Sequence, residues 1–127
     1  MKNLFLSPEK LNIAHRGARS LAPENTLAAA RKGLAIGADG WELDVQVTSD
    51  EVLVIMHDPI LTRTTNVAQV FPERAQDRLH TFTFAELRRL DAGSHFNEND
   101  PFQQIAAGSV TAAEQKSYAG ELIPTLE

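Results

Sequence analysis

Apolar runs in the first half of the chain predict three strands and one helix. KLNIAHRG (10–17) is a short apolar run that ends in a polar turn, and APENTLAAARKGLAIGADG (22–40) has helical spacing and ends at glycines. WELDVQVT (41–48) alternates strictly, which predicts a strand with one apolar and one polar face. VLVIMHD (52–58) is continuously apolar before its last two residues, as in a strand buried on both faces. This order predicts an α/β protein with a mainly parallel sheet.

The second half of the chain has a less regular pattern. Residues 59–80 have mixed polarity and are interpreted as a long excursion from the sheet. The T-x-x-E segments at 83–86 and 111–114 are capping boxes, which predict two helix starts. We expect the first of these helices to end at Gly93 and residues 94–110 to form a loop, since they are rich in Asn, Gly, Ser and Asp.

The start of the first predicted helix carries its own signals. Asn25 or Thr26 can cap it, and Glu24 places a favourable negative charge beside its first turn. Leu27 and Leu34 recur at helical spacing and predict the apolar face. These local roles account for the polar residues of the segment.

Composition narrows the class of protein. The 127 residues are 43% hydrophobic with a net charge of −5, which fits one globular domain and argues against a nucleic-acid partner. The chain has no cysteine, which excludes disulfides, zinc–thiolate sites and cysteine nucleophiles and fits a reducing compartment. The apolar patch in MKNLFLSPEK (1–10) is too short for a signal peptide, and no later run is long enough to span a membrane. We expect a cytoplasmic protein with no stable membrane anchor.

Two carboxylates lie two positions apart on the predicted strand 41–48. Glu42 and Asp44 therefore point the same way, roughly 6 to 7 Å apart. Carboxylates at this separation can share one hard divalent cation, Mg²⁺ or Ca²⁺, whose preferred ligands are oxygens. The alternative is a solvated acidic face on a half-exposed strand.

Two histidines each end an apolar run. The carboxyl ends of parallel strands converge on one site, so His15 and His57 could face a substrate as base and acid. The alternative for each is a strand-end residue that hydrogen-bonds to the backbone. Arg16 suits an anionic group that needs forked donors, or forms an ordinary surface salt bridge. His80 and His95, in the irregular half, are interpreted as structural.

Seven short motifs occur along the chain in a fixed order: HRG (15–17), APENT (22–26), WELDVQVTSD (41–50), VIMHD (54–58), LTRTTN (61–66), LDAGS (90–94) and IPTLE (123–127). Together they resemble the glycerophosphodiester phosphodiesterase family. The resemblance runs from about residue 11 to the last residue, with a gap at roughly 97–120. It implies part of a TIM-type (β/α) barrel and hydrolysis of glycerophosphodiesters to glycerol 3-phosphate and an alcohol.

The family pattern assigns a role to each candidate residue. Glu42 and Asp44 match the ligands of the family's single divalent cation, Mg²⁺ or Ca²⁺. His15 and His57 match the acid/base pair, in an order that stays open, and Arg16 matches the arginine that binds the substrate phosphate.

The resemblance also implies a division of the chain. Residues 1–58 correspond to the first strands and first helix of the barrel, 59–122 to an inserted subdomain and 123–127 to the return to the barrel. The family's third metal carboxylate and its lysine, in an E-I-K motif on the next strand, have no match. A full barrel takes about 250 residues. We therefore expect an N-terminal portion with little activity alone, covered by a missing C-terminal half or by self-association.

Two other functions remain open. A phospholipase D-like lipase of the same fold shares the two histidines and the E-x-D pair, although LTRTTN and LDAGS resemble the glycerophosphodiester enzymes more closely. A non-catalytic binding or assembly fragment could retain half of the site. Comparing the turnover of soluble diesters with that of lysolipids distinguishes the lipase from the glycerophosphodiester enzyme. Metal titration with a diesterase assay distinguishes the non-catalytic fragment from that enzyme.

Overall fold

A computed structural model describes residues 10–127, so the predictions for the first nine residues lie outside the described part. Within that part, four short strands and five α-helices are joined by turns and short 3₁₀ segments. Strand, helix and strand follow in the predicted order. The elements are β1 (Ile13–His15), α1 (Leu27–Ala35), β2 (Gly40–Glu42), β3 (Val45–Val47), β4 (Leu53–Ile55), α2 (Val67–Val70), α3 (Phe84–Leu87), α4 (Ser94–Asn99) and α5 (Ala112–Tyr118).

Strands β1 and β2 form a parallel pair connected by α1. In their register, Ile13 lies opposite Gly40 and His15 lies opposite Glu42. Since paired residues on neighbouring strands are close together, the fold brings the first histidine beside the first carboxylate. This confirms the strand–helix–strand opening of the sequence pattern.

The predicted single strand 41–48 is wrong, because β2 ends at Glu42 and β3 begins at Val45. Between them, the backbone N–H of Asp44 donates to Asn25 Oδ1 at 3.3 Å instead of to a strand partner. Strand β3 pairs with β4 in antiparallel fashion, so the expected mainly parallel sheet is also wrong for this pair. The turn between β3 and β4 is short, and strands joined by a short turn pair antiparallel.

Helix α1 begins where its capping signal predicts. Thr26 is the N-cap, and its side-chain oxygen accepts from the N–H of Ala29. The predicted apolar positions Leu27 and Leu34 are about half exposed, at 53% and 55%. The buried face instead carries Ala29, against which Gly17 packs so closely that an added Cβ would lie 2.6 Å from backbone carbon. Small residues therefore set this contact.

The second half contains more helix than predicted, and its helices have different bounds. Both capping boxes are present, at Thr83 and at Thr111. Helix α3 ends at Leu87, not at Gly93, and part of the predicted loop 94–110 is helix α4. The reason is Asp91, whose carboxylate accepts from the backbone N–H groups of Gly93 and Ser94 and so starts a new helix.

The larger hydrophobic core joins the sheet to the second half. Its buried members come from β4 and the residue after it, from residues 61–92, and from the last segment of the chain. The boundaries at residues 58 and 122 remain a prediction. The buried members are Val54, Met56, Leu61, Val67, Leu79, Phe82, Leu87, Leu90, Ala92 and Ile123.

One face of the strands is left open to solvent. Trp41, Val45, Val47 and Leu53 are each between 42% and 45% exposed, although their run predicts burial. In the described residues, no helix has both the length and the apolar character that crossing a bilayer requires.

Candidate active site

His15 is the last residue of β1, and its ring lies beside the carboxylate of Glu42. His15 Nε2 is 3.6 Å from Glu42 Oε2, and the two side chains are 52% and 46% exposed. The parallel register of β1 and β2 produces this contact directly. The two predicted site residues therefore face solvent together, where a substrate can reach them.

Arg16 connects the carboxylates on both sides of the strand break. Its backbone N–H donates to Glu42 Oε2 at 3.3 Å, and its Nη1 donates to Glu24 Oε1 at 3.1 Å. Its Nε lies 3.4 Å from Asp44 Oδ2 and is buried without a hydrogen bond from the described residues. The guanidinium is held between the carboxylates of Glu24 and Asp44, with only 12% of its side chain exposed.

Asn25 holds Asp44 in place, a role that the sequence did not suggest. Asn25 Nδ2 donates to Asp44 Oδ2 at 2.9 Å, and Asn25 Oδ1 accepts from the Asp44 backbone. The backbone N–H of Asn25 donates to the carbonyl of Arg16 at 2.9 Å. A local pattern could reveal only the tolerance of Asn for a left-handed backbone, not this contact across 19 residues.

Arg16 and Asn25 both have left-handed backbones, with φ of 55° and 56°. This conformation is uncommon for residues other than glycine and costs about 1–3 kcal/mol. It persists where surrounding contacts determine it, often at functional sites. The two strained residues bond each other and flank Asp44, so the strain marks the same place as the candidate chemistry.

His57 lies two residues beyond β4, in a loop that β3 fixes. Gln46 Nε2 lies within 2.9–3.1 Å of the carbonyl oxygens of residues 56, 57 and 58. His57 Nδ1 is 2.6 Å from Asp58 Oδ1. The polar face of the predicted strand 41–48 therefore serves to hold the second histidine.

Arg63 joins the two parts of the site. Its Nη1 and Nη2 donate to both oxygens of Glu24, at 3.0 and 2.7 Å, and its Nε and Nη2 donate to both oxygens of Asp58, at 2.6 and 2.9 Å. Glu24 also binds Arg16, and Asp58 also binds His57. One connected network thus runs from His15 to His57.

These contacts keep the carboxylates of Asp58 and Glu24 ionised. Hydrogen bonding from Arg63 is the main reason that the pKa of Asp58 falls to about 2. Burial raises the pKa of Glu24, but the hydrogen bonds and charges of Arg63 and Arg16 together outweigh it, so that this pKa lies below its usual value. The pKa of Arg63 rises, because Glu24 and Asp58 bind its charged form.

The network carries more negative than positive charge. Four carboxylates stand against two guanidiniums, which leaves two negative charges when the histidines are neutral. A phosphodiester anion would therefore meet a net negative charge in this network. The four carboxylates belong to Glu24, Glu42, Asp44 and Asp58, and the guanidiniums belong to Arg16 and Arg63.

The donor set fits a hard divalent cation in kind but not in number. Glu42 and Asp44 offer carboxylate oxygens and are 46% and 27% exposed. Across residues 10–127, no group of three His, Cys, Asp or Glu side chains converges in a way that could hold a metal ion. The described part of the chain can therefore supply two ligands of a cation that prefers about six.

Two further features lie around this network. A cleft of about 270 Å³ has Arg16 and Asn25 in its lining, and Trp41 and Ile55 form part of its apolar wall. His95, interpreted as structural, is half-buried on α4. Burial lowers its pKa; the charge of Glu24 opposes this shift, and the charge of Arg63 adds to it.

The family model for the glycerophosphoryl diester phosphodiesterase family matches residues 15–127. The chain is 46% identical over 127 residues to the glycerophosphoinositol inositolphosphodiesterase GDPD2 of Mus musculus. This match covers 100% of this chain and 23% of that protein. Two solved structures are similar at 33% identity. The glycerophosphodiester phosphodiesterase of Agrobacterium tumefaciens has a TM-score of 0.69, with 93% of this chain and 40% of that chain covered.

The second is a phosphodiesterase of Oleispira antarctica in complex with the product sn-glycerol-3-phosphate, with a TM-score of 0.67. It covers 92% of this chain and 37% of that chain. These likenesses confirm the α/β class and the partial TIM-type barrel. The chain spans between 23% and 40% of the length of these three proteins. It belongs to the glycerophosphoryl diester phosphodiesterase family.

Proposed function

We propose that this chain forms the N-terminal part of a metal-dependent enzyme that hydrolyses glycerophosphodiesters to glycerol 3-phosphate and an alcohol. The observation that carries the proposal is the single network that connects His15, Arg16 and His57 at the carboxyl ends of their strands. The family supports hydrolysis of this substrate class. The product named with the Oleispira antarctica structure supports glycerol 3-phosphate as the product.

Each candidate residue has a part in this reaction. Arg16 binds the phosphate oxygens through Nη2, which makes no hydrogen bond with the described residues, while Glu24 holds its Nη1. One histidine takes a proton from water as the water oxygen attacks phosphorus. The other histidine gives a proton to the alcohol oxygen as its bond to phosphorus breaks. His15 and His57 can each fill either role, since both rings are about half exposed.

We propose one divalent cation, Mg²⁺ or Ca²⁺, held in part by Glu42 and Asp44. The excess of two negative charges in the network supports a cation of this charge. When bound, it would stabilise negative charge on the phosphoryl oxygens. Further ligands must come from outside the described residues, substrate or water, which is why we expect little turnover by the isolated chain.

Binding of the product tests this proposal on the chain itself. Calorimetric titration with glycerol 3-phosphate should show binding in the presence of Mg²⁺ or Ca²⁺ and weaker binding in EDTA. Arg16→Ala should abolish the signal, because it removes the phosphate donor. No binding with either cation would contradict the proposal.

A substrate comparison separates the alternatives. Glycerophosphocholine, glycerophosphoethanolamine and glycerophosphoinositol would be compared with lysophosphatidylcholine, with ³¹P NMR to identify the bond that breaks. Binding of soluble diesters favours the proposed enzyme, whereas preference for the lysolipid favours a phospholipase D-like lipase. Metal binding with no affinity for any phosphodiester favours a non-catalytic fragment. The cytoplasmic location stays a prediction, which cell fractionation would test.

A further inference from the structure

Arg63 has an unusual set of partners for a surface arginine. It lies in the 3₁₀ turn Leu61–Arg63 after β4, and 49% of its side chain is exposed. Four hydrogen bonds of 2.6–3.0 Å run from its three nitrogens to all four oxygens of Glu24 and Asp58. Exposed arginines rarely keep one geometry, but two bidentate pairs fix both ends of this guanidinium.

The first carboxylate connects Arg63 to the candidate phosphate ligand. Glu24 Oε1 accepts from Arg63 Nη2 at 2.7 Å and from Arg16 Nη1 at 3.1 Å. Only 11% of the Glu24 side chain is exposed. Because both arginines bind the same oxygen, the position of Arg63 determines where Glu24 holds the guanidinium of Arg16.

The second carboxylate connects Arg63 to the second histidine. Asp58 Oδ1 lies 2.6 Å from His57 Nδ1 and accepts from Arg63 Nη2, while Asp58 Oδ2 accepts from Arg63 Nε. A carboxylate that accepts from Nδ1 fixes the Nδ1–H tautomer of a neutral imidazole. The basic nitrogen is then Nε2, which is the atom left to exchange a proton with substrate or water.

Arg63 is not itself placed to bind phosphate. A guanidinium has five N–H donors, and four of those of Arg63 are engaged. Its single positive charge faces two carboxylates. The Nη2 of Arg16 makes no hydrogen bond with the described residues, whereas four of the donors of Arg63 are directed at protein carboxylates.

We propose that Arg63 is a positioning residue that orients Arg16 through Glu24 and fixes the tautomer of His57 through Asp58. The inference rests on the proposed function for the roles of Arg16 and His57. A lysine at this position could not replace the arginine, because an ammonium lacks the planar fork that binds two carboxylates at once.

The ring nitrogens of His57 provide a test that needs no turnover. ¹⁵N NMR of the chain, at a pH where the ring is neutral, should show the Nδ1–H tautomer. Arg63→Ala and Arg63→Lys should both give a mixture of tautomers, since Asp58 loses the partner that orients it. Arg74→Ala is the matched control, because Arg74 also bridges two carboxylates, Asp77 and Glu86, elsewhere in the chain. It should leave His57 unchanged.

Affinity for inorganic phosphate, with Mg²⁺ present, tests the other half of the inference. Arg63→Ala and Arg63→Lys should each weaken binding about tenfold, as removal of a partner that orients a ligand does. Arg74→Ala should have no effect. Thermal unfolding identifies any variant that fails to fold. If Arg63→Ala fails to fold, Arg63→Lys alone tests the inference.

The outcomes separate this inference from the proposed function. If wild-type chain does not bind phosphate, the role of Arg16 is wrong, while the tautomer of His57 still decides whether Arg63 positions it. If wild-type chain binds phosphate and neither Arg63 variant changes the tautomer or the affinity, the inference is overturned. An equal effect of Arg74→Ala would also overturn it, because the change would then follow from lost stability alone.

Discussion

At the scale of single residues, Glu24 and Arg63 form the centre of the network between His15 and His57. His15, Glu42 and Arg16 are in contact at one end of it, and their chemical roles remain predictions. The link through Arg63 to Glu24 spans 39 residues. Glu24 therefore does more than place a negative charge at a helix start, because it binds both Arg16 and Arg63.

The metal ligands and the acid/base pair should separate on mutation. Glu42→Ala and Asp44→Ala should each weaken Mg²⁺ affinity of the chain by about tenfold or more, because each removes an oxygen ligand. His57→Ala should leave the affinity nearly unchanged, since His57 contacts Asp58 rather than either carboxylate. Calorimetric titration with Mg²⁺ measures this affinity.

In a complete enzyme, His57→Ala should cut turnover by about 10²–10⁴-fold. Near-normal rates would contradict the two-histidine mechanism.

Asp58 should make the stability of the chain depend on pH. Its pKa of about 2 lies below the ordinary value of 3.8, mainly through the hydrogen bond from Arg63. A lowered pKa in the folded state stabilises the protein above pH 4, and this stabilisation is lost as the pH falls from about 4 to 2. At pH 6, the free energy of unfolding of the wild-type chain, measured by urea denaturation, should therefore exceed that of the Asp58→Asn variant. The difference should shrink towards pH 2, and a constant difference would refute the role of ionisation.

At the scale of elements, signals confined to a few neighbouring residues were the most reliable. The capping boxes at 83–86 and 111–114 form as predicted, because both partners lie within one turn. The prediction of one strand over 41–48 is wrong because the strict alternation of the sequence continues through a break in the strand. A side chain from outside the segment makes this break. Asn25 binds the backbone of Asp44 there, and nothing within 41–48 encodes it.

The start of helix α4 depends on a close backbone contact at Gly93. A Cβ at this position would lie 1.8 Å from the carbonyl oxygen of Tyr118, which is rigid backbone. Gly93→Ala should therefore lower the free energy of unfolding by about 3 kcal/mol, as overpacking of a filled space does. Gly40→Ala is the matched control, because its Cβ would make only an ordinary contact of 3.5 Å with Ile13. Urea denaturation of both variants measures the difference, and equal losses would show that crowding is not the cause.

At the scale of the whole molecule, the pattern of apolar residues predicted burial that the described chain does not provide. The run 41–48 places Val45 and Val47 on one face, and Val47 pairs with Leu53 of β4. These three side chains, which we call the strand patch, are 42–45% exposed. Alternation shows which residues share a face but not what covers it. In larger members of the family, more chain is present, since this chain spans at most 40% of the compared proteins.

The strand patch should therefore drive self-association of the isolated chain. A contiguous apolar face on exposed strands is an association surface, and a second copy can bury it. Sedimentation velocity should show a weight-average mass that rises with concentration above the 14.0 kDa of the monomer. The double variant Val45→Lys and Val47→Lys should remain monomeric, because charges at a strand face oppose pairing.

Phe102→Lys is the control, since Phe102 is 38% exposed but lies outside the strands. A wild-type chain that stays monomeric at every concentration, or equal dissociation of both variants, would show that the strand patch is not the contact.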